Sequence, residues 1–150
     1  MGKRAAEVII AKIGVDMAVF PTPSHLASWA GVCPGNNVTG GKRHSGKPTK
    51  GDRWLGEVLN QCAWSAARTR NTYLSAQFWR LARRIGKKKA AVTVGHSILV
   101  IAWHLLANGC VYEDLGGDYV VTRDADRARN RAVSQLQALG YHVNLEPIAA

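Results

Sequence analysis

Acidic side chains are scarce in this sequence. Asp and Glu together number ten against twenty Lys and Arg, a formal charge of +10 over 150 residues. From Lys42 to Lys89 the shortage is greatest. Only Asp52 and Glu57 face thirteen basic residues there, a net +11, while the rest of the chain sums to −1. The remaining acids near the C-terminus, Glu113, Asp114, Asp118, Asp124 and Asp126, are scattered. Two-metal phosphoryl transfer needs several converging carboxylates, so this pattern argues against a complete metal-dependent nuclease in the chain. Cysteine is also thin: Cys33, Cys62 and Cys110 stand far apart with no C-x-x-C, which excludes a zinc site of ordinary spacing. Their odd number, with no signal peptide, fits a reducing cytoplasm and free, buried thiols. Val8-Ile9-Ile10-Ala11 is too short for a signal core and is followed by Lys12, and Ala6 stands where a myristoylation start needs Ser or Thr. Long apolar runs are confined to residues 90–107, which Thr93, His96, Ser97 and His104 interrupt; a central buried helix is predicted there, not a membrane span.

What is present is a globular composition, 47% apolar, in a length that suits one domain with a real core. Charge focused in one window predicts a polyanionic partner, most simply nucleic acid, and argues against a cationic substrate. A basic surface kept for solubility and a basic membrane-facing helix are the alternatives.

Periodicity predicts a mainly α-helical domain. Val8, Ile9 and Ile13 recur at helical spacing before Gly14; Thr22 followed by Pro23 marks the start of a second helix that ends by Gly31. Residues 31–53 hold six glycines, two prolines and five basic residues with no period of 2 or 3.6, and read as a long loop. Helices are expected over roughly 52–70, 72–85 (capped by Thr72, closed by Gly86) and 88–107. After a Gly- and Asp-rich linker, a last helix is expected over about 122–139, then one short strand at 141–145.

Few constellations carry chemistry. Gly41 to Lys47 fits G-x-x-x-x-G-K, but Pro48 replaces the required Ser or Thr and no buried strand precedes it, so a nucleotide P-loop is rejected. What survives is a glycine loop whose backbone can approach phosphate, flanked by Lys42, Arg43 and Lys47. Thr39 before Gly40-Gly41 and Ser45 before Gly46 are hydroxyls beside flexible glycines; either is a turn residue or a nucleophile awaiting a base or metal. His96 and His104 lie about 80° apart around a helix and read as core histidines. The five tryptophans read as core or interface anchors, with base stacking by Trp54, beside Arg53, as a lesser option.

Several blocks occur in a familiar order: Arg4-Ala5-Ala6-Glu7-Val8-Ile9-Ile10-Ala11-Lys12-Ile13-Gly14; Phe20-Pro21-Thr22; Leu26-Ala27-Ser28-Trp29-Ala30-Gly31-Val32-Cys33-Pro34-Gly35-Asn36-Asn37; Gly40-Gly41-Lys42-Arg43-His44-Ser45-Gly46-Lys47; Arg53-Trp54-Leu55; Gly95-His96-Ser97-Ile98-Leu99; and Leu115-Gly116-Gly117-Asp118-Tyr119. Together they resemble the C-terminal transposase domain of the insertion-sequence 110/116/902 family. The resemblance implies a mainly α domain in three parts: a partial helix-hairpin-helix region (1–31), a Gly-rich basic loop (32–53) and a helical remainder (54–150).

The same resemblance implies DNA recombination by a longer enzyme. Its N-terminal RuvC-like domain carries four acidic metal ligands, so Mg2+ is implied for the full-length enzyme and no cofactor for this chain. DNA is the implied partner, with a structured guide RNA in some members, a RuvC-like domain and further copies of the chain; no membrane is implied. The family's serine nucleophile, just before the loop glycines, falls on Thr39, whose extra methyl crowds the hydroxyl and restricts χ1. Ser45 is a fallback on the wrong side of Gly40-Gly41. Nucleic-acid contacts are expected at Gly40, Gly41, Lys42, Arg43, Lys47, Lys50, Arg53, Arg80, Arg83, Arg84, Lys87, Lys88 and Lys89. The chain starts inside the hairpin and lacks the acidic domain, so it is expected to be a fragment, inactive alone. A non-enzymatic nucleic-acid-binding module, in which Thr39 is only a turn residue, is the alternative; a protein-interaction domain is a third.

Overall fold

The computed structural model describes residues 2–33, 37–45 and 50–146, with the backbone alone at 37, 38 and 43–45. The fold is mainly helical, as the periodicity predicts. The elements run α1 (Lys3–Ile13), a 3-10 turn (Met17–Val19), α2 (Pro23–Trp29), β1 (Asn37–Thr39), β2 (Lys42–Ser45), α3 (Arg53–Arg68), α4 (Tyr73–Ile85), α5 (Lys87–Asn108), α6 (Tyr119–Arg123) and α7 (Ala125–Ala138). The chain forms two compact units, Met1–Gly117 and Asp118–Ala150.

Local chemistry sets the helix starts. Thr22 accepts a hydrogen bond from His25 N at 3.4 Å with Pro23 opening α2; Asp52 accepts from Leu55 N at 2.8 Å; Thr72 accepts from Ser75 N at 3.3 Å. Gly86 alone joins α4 to α5.

In the first unit, α5 is the central post. It packs on α3, α4, α2 and the 3-10 turn, while α3 also meets α4 and α1. By length and composition α5 could cross a membrane; here Ala90, Ala91, Val94, Ile98 and Leu99 are buried in the protein core. Leu26, Leu55, Leu59 and Phe78 meet them there, all essentially inaccessible to solvent. Phe78 sits between two indoles, its ring centroid 5.3 Å from those of Trp64 and Trp79. Trp103 donates from Nε1 to the Phe20 carbonyl at 2.9 Å, tying α5 to the chain that follows the 3-10 turn. The thiols are less uniform than expected. Cys62 is buried, Cys33 half-buried and Cys110 exposed, because Cys110 falls just past the end of α5.

Residues 31–53, read from sequence as a loop, contain an antiparallel hairpin. Thr39 pairs with Lys42 and Val38 with Arg43, and a bulge between Asn37 and Val38 shifts Asn37 onto Ser45. Its two-residue turn is Gly40-Gly41, with φ of 57° and 75°. Positive φ at both central positions is the type I′ geometry whose twist suits a tight hairpin, and glycine reaches it without a Cβ clash.

The segment after α5 is held by one carboxylate. Asp114 Oδ1 accepts from Tyr73 N at 3.0 Å and from Gly116 N at 2.8 Å, and Oδ2 accepts from Tyr112 Oη at 2.9 Å. Burial pushes Asp114 up, but these three donors outweigh it and hold the carboxyl below the usual carboxylate range. Burial, the bond to Asp114 and its negative charge push Tyr112 up to about 12. The depressed Asp114 stabilises the latch at pH above its unfolded value near ~3.9, and that contribution is lost as pH falls through the folded value. The raised Tyr112 stabilises it below pH about 10, and that is lost as pH climbs toward 12. Asp114→Asn should bring the Tyr112 ionisation back toward ~10, read as tyrosinate absorbance with Tyr112→Phe for assignment. An unchanged titration would show that the carboxylate does not govern the phenol.

The second unit is polar. Asp124 accepts from Arg127 N at 3.2 Å and caps α7, which splits the expected single helix into α6 and α7. No described residue of this unit is buried, and residues 141–146 form no strand, since no partner strand pairs with them.

Candidate nucleic-acid interface

The hairpin turn places Thr39 at its tip. Residues directly opposite in a strand pair share a face, so Thr39 and Lys42 project on the same side, flanking Gly40-Gly41. Thr39, Gly40, Gly41 and Lys42 are all exposed. A hydroxyl, an ammonium and two glycine N–H groups are thus presented at one turn without intervening bulk. Arg43 and Ser45 lie on β2, where the backbone alone is described; Gly46 and Lys47 lie outside the described residues.

The chain returns to the core at Gly51. A Cβ there would stand 2.3 Å from the Ala30 carbonyl carbon and oxygen and 2.4 Å from Gly31 N, so backbone passes directly over backbone. Lys50, just before it, is exposed. Immediately after it, Asp52 caps α3 and pairs with Lys12 at 2.9 Å. The hydrogen bond from Leu55 N, then Lys12, holds the Asp52 carboxyl below its ordinary value. Glu57 pairs with Arg53 at 3.0 Å. Both acids of the basic window are therefore engaged with cations.

The second basic cluster forms a corner. Arg80, Arg83 and Arg84 end α4, and Lys87, Lys88 and Lys89 begin α5, with Gly86 alone between them. All six are exposed, and none forms an ion pair with a carboxylate among the described residues. Lys87 Nζ lies 5.6 Å from the centre of the Trp79 ring, whose Nε1 donates to the Ala67 carbonyl at 3.0 Å. α5 begins without a side-chain cap or an acid in its first turn. Three lysines there oppose the helix dipole as well as each other. Such an arrangement destabilises the free chain and suits an anion.

The exposed described cations among the expected contacts thus fall in two stretches of the chain, Lys42 to Arg53 and the α4–α5 corner. His96 and His104 do not join either region. Burial lowers the His96 pKa, and His104 is exposed, edge-on to Trp103 at 5.0 Å. No group of three or more His, Cys, Asp or Glu is placed to share a metal ion among the described residues, so this donor set does not fit Mg2+. A cleft of about 170 Å³ between α3 and α5, lined by residues such as Val32, Leu59 and Ala91, is apolar and too small for a nucleotide. The residue that sequence reasoning set aside is Trp54. Its exposure, 68%, is decided by which arc of α3 faces the core.

The fold and these side chains define a class, a helical domain with strongly basic, exposed surfaces. Comparison gives the family. A model described as "Transposase IS116/IS110/IS902 family" matches residues 1–80, over half the chain. The chain belongs to that transposase family. It is also similar to a curated protein of Sinorhizobium fredii (strain NBRC 101917 / NGR234) named "Putative transposase y4pF/y4sB", 31% identical over 129 residues, covering 77% of this chain and 33% of that protein. The chain thus spans about a third of that relative's length. No solved structure matches it.

Proposed function

We propose that this chain is the DNA-contacting C-terminal domain of a transposase and presents the Thr39 hydroxyl as the nucleophile for strand exchange. The observation that carries the reading is Thr39 at an exposed two-glycine turn with Lys42 on the same face. DNA phosphates would lie along Lys42, Arg43, Lys47, Lys50 and Arg53, and along Arg80 to Lys89, because duplex affinity is chiefly phosphate neutralisation. Gly40 and Gly41 let the backbone approach the phosphodiester. In the reaction, Thr39 Oγ1 forms a bond to phosphorus while the bond from phosphorus to the leaving sugar oxygen breaks. The hydroxyl proton passes to a base supplied by the RuvC-like domain, and the sugar oxygen gains a proton. The two carboxylates of the basic window, Asp52 and Glu57, are already engaged with Lys12 and Arg53. A structured guide RNA and further copies of the chain belong to the same proposal.

The alternative, a binding module in which Thr39 is only a turn residue, separates in one experiment. The chain is joined to a RuvC-like domain of the family and given Mg2+, guide RNA and DNA, and a covalent protein–DNA adduct is sought. Thr39→Ser should raise the adduct about tenfold or more by relieving the crowded χ1, and Thr39→Ala should abolish it. An adduct that survives Thr39→Ala removes Thr39 from the mechanism. No adduct with either Thr39 or Thr39→Ser favours the binding module.

A further inference from the structure

The exposed arc of α3 has a composition that phosphate binding does not explain. At 100° per residue, Arg53, Trp54, Glu57, Asn60 and Gln61 fall within roughly 120° of one another on the first half of α3, and all five are exposed, whereas Trp64 further along the same arc packs on Phe78. Trp54 is the most exposed of the five tryptophans, 68% against 46% for Trp29 and 45% for Trp79. The others have partners. Trp29 lies 5.4 Å from Phe20, Trp64 and Trp79 pack on Phe78, and Trp103 donates to the Phe20 carbonyl. Among the described residues Trp54 makes no ring contact and its Nε1 has no hydrogen-bond acceptor.

The backbone that carries the indole is nonetheless firmly held. Asp52 caps the helix at Leu55 N and pairs with Lys12, and Gly51 passes over the end of α2 without room for a Cβ. Two residues later Trp54 stands on the first turn of α3.

We propose that this arc of α3 binds unpaired bases of a single-stranded nucleic acid, with Trp54 as the stacking platform and Asn60 and Gln61 hydrogen-bonding base edges. The buried core of a protein interface is more apolar and depleted of charge; here the neighbours of Trp54 are Arg53, Glu57, Asn60 and Gln61. Those side chains suit bases and phosphates, and the window's charge supplies the attraction. A fully paired duplex leaves no base face free to stack on an indole. The inference rests on the nucleic-acid reading above and adds to it that the strand is unpaired. DNA and RNA share the required chemistry, a bare base on a phosphodiester backbone.

The test uses the full chain with labelled oligothymidylate, the matching oligouridylate and a DNA duplex of equal length, followed by anisotropy and tryptophan quenching. Trp54→Ala should weaken one or both single strands about tenfold and abolish most of the quenching, with duplex affinity changed less than about twofold. Trp54→Phe should retain most of the affinity. The strand that loses more identifies the source. Unchanged single-strand binding by Trp54→Ala, or an equal loss on the duplex, overturns the inference while leaving salt-dependent duplex binding intact. Loss of self-association alone overturns it in favour of a protein surface. A parent chain that binds none of the three overturns the nucleic-acid reading as well.

Discussion

Replacing Arg80, Arg83, Arg84, Lys87, Lys88 and Lys89 together by glutamine is expected to weaken duplex DNA binding at least about a hundredfold at ~0.15 M salt. Each phosphate contact contributes about 0.9 to the slope of log K against log salt, so losing six should flatten that slope by up to about 5. The six cations are exposed and form no ion pair with a carboxylate among the described residues, which sets them apart from Arg53 and Lys12, already paired with Glu57 and Asp52. The fold should tolerate the change, since glutamine keeps good helix propensity and removes three positive charges from the start of α5. Neutralising Arg123, Arg127, Arg129 and Arg131 of the second unit is the comparison, and should change affinity and slope much less. Titrations across a salt series decide. An unaltered slope in the six-fold variant would remove the corner from the DNA surface.

Gly51→Ala should be the most damaging of the glycine-to-alanine changes at the described positions whose surroundings are known. The new Cβ would meet backbone atoms of Ala30 and Gly31 at 2.3 and 2.4 Å, and backbone cannot yield as a flexible side chain does. Overpacking of this kind costs about 3 kcal/mol or more, on the order of a 10 °C fall in Tm for a unit of this size. Gly56→Ala is the control. Its Cβ would meet nothing within 4 Å, and inside α3 alanine should add up to about 1 kcal/mol. Thermal melts of both variants test the pair, and equal melting temperatures would show that Gly51 is not wedged. Because Gly51 leads into Asp52 and Trp54, its replacement should also lower single-strand binding.

Local chemistry made much of the helical frame legible in advance. Thr22-Pro23, Thr72 and Gly86 are caps and stops whose partners lie within a few residues, and all three act as such. The apolar run of α5 was readable as a helix because it follows three lysines and is broken by polar residues, but only its first half, Ala90 to Leu99, is buried. The hairpin was not, although Gly40-Gly41 is a two-residue turn signal. Its strands carry Asn, Thr, Lys, Arg and His, so no alternation of apolar and polar residues marks them. Asp124 was hidden inside a continuous polar pattern, where a cap looks like any surface acid. For the site, the cationic residues were legible from charge alone. The exposure of Trp54 and the engagement of Asp52 and Glu57 depend on which arc of α3 turns inward, and α1, α4 and α5 decide that.

The single residue between α4 and α5 has an energetic consequence. With only Gly86 as a joint, the arginines and lysines on either side cannot move far apart, so the free chain carries their mutual repulsion as a standing cost. On the proposed reading, a bound polyanion would remove that repulsion and meet a favourable dipole at the start of α5. Affinity and fold stability are then linked through the same charges, and whatever weakens the corner's grip on its partner should relax the unbound protein.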